Sequence, residues 1–385
     1  MRILLVSDCF APRLGGIESQ VHDLALVLMG RGHEVIVVTA TPNKKHSKPA
    51  WDRVDGIPVL RLTTRLVGDV PWNPFAGRRL RALFTTADVI HIHTGLISLF
   101  AQHAIVVAAS MRVPTCVTWH CMLGPWWPLF HVVRFAQWAA KRGVTMNAVS
   151  SQLVPAVQRI VGDRTKVGVL HNGMDPRDWT EVAARRLARG QATGHSGASD
   201  GRGPVRIVAS RRLASRKRND VLVRLAVAAQ EKAGIPVELT IFGDGPEFAE
   251  LEALIEHLDA PWIRLAGRVD RDTLRSAYED ADIYFSTALM ESFGIATLEG
   301  RTAGLPIVAP DNTGVVDFCE NGVDGLLGDG DDDLCDCLAR MIADEELRER
   351  IARHNAAQLP PQNWDSIAED TIAEYERARA AQQNR

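Results

Sequence analysis

The chain has 385 residues and a formal net charge of −3, with 46% apolar and 24% charged residues, which is an ordinary balance for a globular protein. This length suits two domains better than one. The first apolar run ends at Asp8, and the longest, Ile97 to Met111, is interrupted by Gln102 and His103, so we expect neither a secretory signal nor a membrane-spanning helix.

Charge is unevenly distributed along the chain. Residues 1–180 contain 20 basic and 11 acidic side chains, and the remainder is acidic in balance. This asymmetry predicts that the N-terminal half approaches an anionic partner such as a lipid headgroup, and an uneven solvated surface is the alternative. The six cysteines show no Cys-x-x-Cys spacing. We therefore expect reduced thiols and a cytoplasmic protein, whose membrane contact would be peripheral, at the inner face of the plasma membrane.

The N-terminal half alternates apolar runs with amphipathic segments. A helix is predicted over Ser19–Gly30, where apolar residues follow helical spacing. Continuous rather than alternating apolar runs indicate strands buried on both faces, which is typical of a parallel sheet covered by helices. The predicted strands are Arg2–Ser7, Glu34–Thr39, Val89–His93, Thr115–Thr118 and Thr145–Val149.

A break in this pattern separates two series of strands. Residues 181–203 are predicted to be a flexible linker, with a short helix possible over Ala183–Arg189. A second domain follows over 204–360, and a last helix over Trp364–Arg379, within 361–385, is expected to pack back toward the N-terminal domain, 1–180. The predicted strands of the second series are Val205–Ala209, Val237–Phe242, Ile263–Leu265, Ile283–Phe285 and Pro306–Val308. Ligands of such sheets bind at the carboxyl ends of the strands, so two facing domains would form one cleft.

Two segments of the first half contain candidate ligand-binding or catalytic residues. Gly15 and Gly16 lie between the first strand and the first helix, where they could admit a ligand to the helix N-terminus or simply form a tight turn. His120 follows a strand closely and could hydrogen-bond a reacting sugar, or be a packed histidine. His91 and His93 are interpreted as structural.

The second half carries a cationic segment and a pair of carboxylates. Arg212 and Lys217 follow the first strand of that half, where a diphosphate would be neutralised; an exposed basic turn is the alternative. Glu291 and Glu299 are eight positions apart around a helix start, roughly 12 Å along a helix axis, which suits gripping the two ends of a nucleotide sugar. Between them, Ser292, Phe293 and Gly294 would offer amides to phosphate. The acidic run 329–333 is interpreted as a helix-capping turn rather than a metal site.

Together these segments resemble glycosyltransferase family 4, which has the GT-B fold, and within it the actinobacterial lipid mannosyltransferases. The resemblance covers nearly the whole chain. It rests on Gly15–Glu18, Asp88–His93, Val117–His120, His171–Asp175, Ser210–Leu213, Lys217, Gly243–Pro246, Gly267–Val269, Glu291 with Glu299, and Ala303–Val308. It implies an α/β protein with two Rossmann-like domains facing each other across a cleft.

The resemblance also implies roles for individual residues. His120, Arg212, Lys217 and Glu291 would be catalytic. The residues implied to bind the donor are Gly15, Gly16, Asn172, Gly243, Arg268, Ser292, Phe293, Gly294, Ile295 and Glu299. The family usually has glycine where this chain has Arg211 and Arg218, and these cations could alter the local backbone or tighten phosphate binding.

The expected activity is retaining transfer of a hexose, with mannose from GDP-mannose first, to a lipid-linked or glycan acceptor, with no essential metal or cofactor and no nucleic-acid partner. A nucleotide-sugar epimerase of the same fold and a non-catalytic nucleotide-sugar-binding protein are the alternatives. Basic and aromatic residues suggest where the acceptor or membrane would bind. The candidates are Trp72, Arg78, Arg79, Arg81, Trp126 and Trp127.

Overall fold

The computed structural model describes residues 1–385 apart from Leu14, 43–48, 64–70, 123–133, Arg164, 193–202 and 384–385, and only the backbone of 189–192. The chain forms two compact units: Met1–Gly173 with Gln362–Arg385, and Met174–Pro361. No helix within these described ranges combines the length and the apolar character needed to cross a bilayer.

The first unit is built on an eight-stranded sheet in the order β3-β4-β2-β1-β5-β6-β7-β8, in which only the β3–β4 pair is antiparallel. Its central strands are buried along almost their whole length, as the continuous runs require. The strands are β1 Arg2–Ser7, β2 Glu34–Thr39, β3 Ala50–Val54, β4 Ile57–Arg61, β5 Val89–Thr94, β6 Thr115–Trp119, β7 Thr145–Ala148 and β8 Gly168–Val169.

Helices cover both faces of this sheet in the described part of the first unit. The C-terminal helix belongs here, since Tyr375 and Ala378 share a hydrophobic core with β1. The helices are α1 Gly16–Gly30, α2 Gly77–Phe84, α3 Leu99–Met111, α4 Phe135–Ala140, α5 Val154–Val161 and, after the second unit, α13 Trp364–Gln383.

The second unit has a six-stranded parallel sheet in the order β11-β10-β9-β12-β13-β14. Its strands are β9 Val205–Ser210, β10 Val237–Phe242, β11 Ile263–Gly267, β12 Ile283–Phe285, β13 Ile307–Pro310 and β14 Gly325–Gly328. Its helices are α6 Arg177–Ala192, α7 Asn219–Ala233, α8 Phe248–His257, α9 Arg271–Asp280, α10 Ile295–Thr302, α11 Asp331–Ala343 and α12 Glu345–Ala357.

The predicted α/β class with mainly parallel sheets in two units is confirmed. The linker predicted over 181–203 differs from the structure, because residues up to 192 belong to helix α6 and the chain passes between the units at 173 and 174. Trp179, fully buried with its ring 5.1 Å from that of Tyr278, anchors this helix within the second unit.

Candidate active site

The connection after β9 brings together cations predicted to bind a diphosphate. Arg211 to Arg218 lead from the strand to helix α7 through a short 3₁₀ turn at Ser215–Lys217. Lys217 Nζ forms an ion pair with the Glu291 carboxylate, and both side chains are largely buried. Arg212 is exposed in the same connection. The structure therefore joins two of the predicted catalytic residues directly.

Arg211 braces this connection from inside. Its Nη1 donates hydrogen bonds to the Lys217 carbonyl oxygen at 2.9 Å and to Thr287 Oγ1 at 3.0 Å, and Thr287 in turn donates to the Arg218 carbonyl oxygen. Burial lowers the pKa of the guanidinium, although nearby Glu291 and tyrosines act in the opposite direction. Of the two expectations for this cation, the structure supports an effect on local backbone.

Arg218 occupies a backbone conformation that favours glycine, with φ of 53°. Its guanidinium makes a bidentate ion pair with Asp331 at 3.0 and 2.6 Å. Asp331 opens helix α11, so the acidic run 329–333 lies at a helix start, as predicted. The described residues contain no cluster of three or more His, Cys, Asp or Glu able to hold a metal ion.

Gly243 allows the loop after β10 to approach the cationic connection. Its φ is +135°, and a Cβ atom there would overlap the carbonyl oxygen of Arg211. A Cβ atom on Gly245 would likewise overlap the carbonyl oxygen of Leu213. Arg268, predicted beside the nucleotide base, is exposed immediately after β11. Gly243 thus has a packing role in addition to its predicted place in donor binding.

Glu291 lies before helix α10 rather than on it. The helix begins at Ile295 with Gly294 as its N-cap at φ of 97°, so the axial spacing of roughly 12 Å estimated for Glu291 and Glu299 does not apply. Ser292 and Phe293 are buried between them, and Phe293 packs on Phe318.

Glu299, on helix α10, is the most perturbed carboxylate of this group. Burial raises its pKa to about 7, and Arg271 only partly offsets this. Arg271 Nη2 lies 3.5 Å from the Glu299 carboxylate, and the Arg271 Nε lies 3.7 Å from Asp178. A carboxyl with a pKa near neutrality and a nearby cation is typical of a functional site.

In the first unit, Gly15 is the N-cap of helix α1 and Gly16 is its first residue, so the helix begins three residues before the predicted start at Ser19. The side chain of Glu18 folds back over Gly15, where a Cβ atom would collide with it, and it lies 3.4 Å from Arg13 Nε. Asn172 is buried beside Gly173, whose backbone exchanges two hydrogen bonds of 2.9 Å with the Gln20 side chain.

His120 directly follows β6, and its backbone N–H donates to the Thr94 carbonyl oxygen at 2.9 Å. Its Nε2 lies 3.0 Å from Nδ1 of His93, on the neighbouring strand β5. Burial lowers the pKa of His120 to about 4, so the ring is neutral at pH 7. His93, interpreted from the sequence as structural, is therefore in direct contact with the predicted catalytic histidine.

The predicted membrane or acceptor residues lie partly on helix α2. Leu80 and Phe84 of this helix are buried, whereas Arg78, Arg79 and Arg81 are exposed. Trp72 is half-buried. Phe75, 75% exposed, precedes the helix, and Ile97, 79% exposed, precedes α3, which packs on α2. Trp126 and Trp127 lie outside the described residues.

Two family models match the chain in succession. "Glycosyltransferase Family 4" matches residues 14–178 and "Glycosyl transferases group 1" matches residues 200–358. The chain belongs to glycosyltransferase family 4.

Curated relatives of this family 4 glycosyltransferase span nearly its whole length. A GDP-mannose-dependent alpha-mannosyltransferase of Mycobacterium tuberculosis is 26% identical, over 98% of this chain and 97% of that protein. One component of the human phosphatidylinositol N-acetylglucosaminyltransferase is 24% identical, over 97% of this chain and 76% of that protein.

Solved structures share the fold of this family 4 glycosyltransferase. Anabaena HepE in complex with UDP and glucose matches with a TM-score of 0.69 at 19% identity, over 97% of this chain and 98% of that one. Sucrose-phosphate synthase from Thermosynechococcus elongatus matches with a TM-score of 0.70 at 17% identity, over 99% of both chains. The predicted GT-B fold class is thereby confirmed.

Two residues of the candidate site were missed from the sequence. Arg271 contacts the predicted site residue Glu299, and Thr287 contacts Arg211 in the cationic connection, but no motif marks either. In the first unit, Asp8 directly follows β1 and accepts a 2.6 Å hydrogen bond from the Ala101 N–H, and burial raises its pKa to about 7. A single aspartate directly after a buried strand was the one available signal for it.

Proposed function

We propose that this glycosyltransferase moves a hexose from a nucleotide diphosphate sugar to an acceptor hydroxyl with retention of configuration, and that mannose from GDP-mannose is the first candidate donor. The name of the mycobacterial relative, which aligns over nearly its full length, supports this donor. The UDP and glucose in the HepE complex make UDP-glucose the second candidate.

The observation that carries the proposal is the cationic connection after β9, held against Glu291. Lys217 is a cation already paired with a carboxylate, and exposed Arg212 adds a second positive charge. A diphosphate bound here would be neutralised by both. Glu291 would then bind hexose hydroxyls and Glu299 the ribose. We propose separately that His120 hydrogen-bonds the transferred sugar.

The proposed chemistry is electrostatic. Charge that develops on the leaving diphosphate is stabilised by Lys217, Arg212 and the amides at the start of helix α10. The leaving phosphate deprotonates the acceptor hydroxyl on the same face of the sugar, which yields retention. Since these cations supply the positive charge, we propose that transfer requires no divalent metal.

We further propose that the acceptor is lipid-linked and that the first unit contacts an anionic membrane. The exposed arginines of helix α2 lie next to exposed Phe75, which combines charge with apolar surface. The phosphatidylinositol in the name of the human relative supports a lipid acceptor.

A donor screen tests the proposal. Full-length protein is heated with GDP-mannose, UDP-glucose and ADP-glucose, and a donor at ~100 times its dissociation constant should stabilise it by roughly 2.7 kcal/mol. The stabilising donor is then incubated with lipid and soluble acceptors, with and without excess EDTA, and the product anomer is determined by NMR.

We expect an α-linked product from an α-linked donor, at a rate that EDTA leaves unchanged. Loss of activity in EDTA that Mg²⁺ or Mn²⁺ restores would contradict the metal-free proposal. A new sugar epimer formed from donor alone would identify an epimerase, and binding without any product would identify a non-catalytic protein.

A further inference from the structure

His93 and His120 share one short contact between ring nitrogens, 3.0 Å from Nδ1 of His93 to Nε2 of His120. We propose that His93 is a positioning residue that holds His120 as its Nδ1–H tautomer, so that His120 presents a hydrogen-bond donor to its ligand. The inference rests on the proposed place of His120 beside the transferred sugar, and it adds which nitrogen acts there and in which form.

Both rings are neutral, and their facing nitrogens are at hydrogen-bond distance, so a single proton lies between them. Burial lowers the pKa of His120 to about 4 and that of His93 well below its usual value. A neutral imidazole has one N–H and one bare nitrogen. One of the two rings therefore donates and the other accepts.

The second ring nitrogen of His93, Nε2, decides which of the two rings donates the hydrogen bond. His93 is 3% exposed, and its Nε2 has no hydrogen-bond partner among the residues that the structure describes. If His120 donated, the proton of His93 would be on this Nε2 and would form a buried N–H without an acceptor. Orphaned buried N–H groups are rarer than unused acceptors. His93 thus donates from Nδ1, and His120 accepts at Nε2.

Neighbouring groups hold this pair in place. The His93 ring stacks on that of His91 with centroids 4.0 Å apart. His91 is held at both ends, with Nδ1 2.9 Å from Tyr375 Oη and Nε2 2.8 Å from Thr118 Oγ1. Since Nε2 of His120 is occupied, its Nδ1–H is the group left for a ligand. A fixed, neutral donor suits a sugar oxygen, and it leaves proton removal from the acceptor to another group.

Ring-nitrogen NMR tests the tautomer directly. Full-length protein with ¹⁵N-labelled histidine is measured at pH 7.5 without substrate by two-bond ¹H–¹⁵N correlation, and His120→Gln assigns the His120 signals. We expect Nδ1 protonated and Nε2 bare. His93→Leu removes the N–H that donates to His120 Nε2 and should move His120 toward the Nε2–H form. His93→Asn, whose amide can donate a hydrogen bond from the same place, should restore the Nδ1–H form.

His103→Asn is the control, because His103 is a half-buried histidine of the same unit that lies on helix α3 and hydrogen-bonds the Asn73 backbone. It should leave the His120 tautomer unchanged. In transfer assays, His93→Leu should lower kcat about tenfold with little change in KM for the nucleotide sugar, and His93→Asn should recover it.

An Nε2–H tautomer of His120 in the wild type would overturn the proposal, and this measurement stands even where His93→Leu does not fold. An unchanged tautomer in a folded His93→Leu would overturn it equally. Full activity of His120→Gln would contradict the proposed function instead, and the substrate-free spectra distinguish the two failures.

Discussion

Lys217 and Arg212 are the side chains on which the proposed diphosphate site depends most. Lys217→Ala and Arg212→Ala should each lower kcat/KM about ten- to a hundredfold, since each removes a charge-assisted contact worth roughly 1.5–3 kcal/mol. Steady-state transfer kinetics measure the effect. Arg216→Ala is the control, because Arg216 is an exposed cation of the same turn. Near-wild-type rates in both site variants would refute the assignment.

If Glu299 binds the ribose as proposed, we expect nucleotide binding to depend on pH. Its pKa is raised to about 7, so the carboxylate that would accept ribose hydroxyls is present above that pH and is lost as pH falls. Nucleotide affinity should be about tenfold lower at pH 6 than at pH 8, since one proton must be displaced.

Calorimetric titration with the nucleotide across this range measures the dependence. Glu299→Gln keeps the shape of the side chain but cannot ionise, so its affinity should change only with the titration of the ligand itself. A wild-type curve parallel to that of Glu299→Gln would exclude a role for this carboxylate.

At the scale of the site, the sequence predicted residues that follow strands but not the contacts between distant segments. Lys217 and Glu291 were both predicted, yet their ion pair joins positions 74 apart. Arg211 was open to two interpretations because its partners, the Lys217 carbonyl and Thr287, are set by the fold. His93 was interpreted as structural, and its contact with His120 could not be predicted for the same reason, since it depends on the pairing of β5 with β6.

Helix α2 is the element on which membrane contact is expected to depend. Full-length protein should co-sediment with vesicles rich in anionic lipid, more weakly as salt rises, because each basic side chain near such a surface contributes about 1 kcal/mol. The double variant Arg78→Glu with Arg79→Glu should no longer co-sediment with these vesicles. Arg224→Glu with Arg264→Glu, exposed in the second unit, changes net charge equally and should bind as the wild type does.

Two outcomes would contradict electrostatic membrane binding through helix α2. Binding that is indifferent to lipid charge would remove the electrostatic argument, and equal release by both double variants would show that net charge, rather than helix α2, is responsible. A soluble sugar that accepts hexose far better than any lipid would separately contradict the lipid-linked acceptor.

Among the elements, buried parallel strands were the most predictable. Arg2–Ser7, Glu34–Thr39 and Val237–Phe242 match the predicted bounds. The first two contain an uninterrupted apolar run with a clear end, and the third alternates apolar residues with Glu238 and Thr240 and ends before Gly243. Among the described residues, four strands escaped prediction: Ala50–Val54, Ile57–Arg61, Gly168–Val169 and Gly325–Gly328. Ala50–Val54 is half exposed and Gly168–Val169 has only two residues.

Helix α6 shows why composition misplaced the boundary between the units. Its Ala/Arg-rich stretch was expected to form at most a short helix before the Gly- and Ser-rich residues 190–203, but Arg186 donates to the Tyr278 carbonyl oxygen and Trp179 packs on the Tyr278 ring. These partners are about ninety positions away, so the local sequence gives no sign of them.

At the scale of the whole molecule, the first unit depends on the last helix. Tyr375 is fully buried, and its hydroxyl contacts His91. Tyr375→Ala should lower the free energy of unfolding of the first unit by about 3–5 kcal/mol, as for other buried aromatic residues replaced by alanine. Denaturant unfolding of the full-length chain measures it. Glu376→Ala, at an exposed neighbour, should change it by less than about 0.5 kcal/mol, and equal effects of the two variants would show that α13 is not part of the core.

The return of the chain at Gln362 has a consequence for its synthesis. Domains generally fold as they leave the ribosome, N-terminal first. Here the second unit, Met174–Pro361, is complete before Tyr375 and Ala378 can enter the hydrophobic core around β1. The core of the first unit must therefore wait for helix α13, and a nascent chain stalled anywhere before α13 would hold a complete second unit while the core of the first unit is still open.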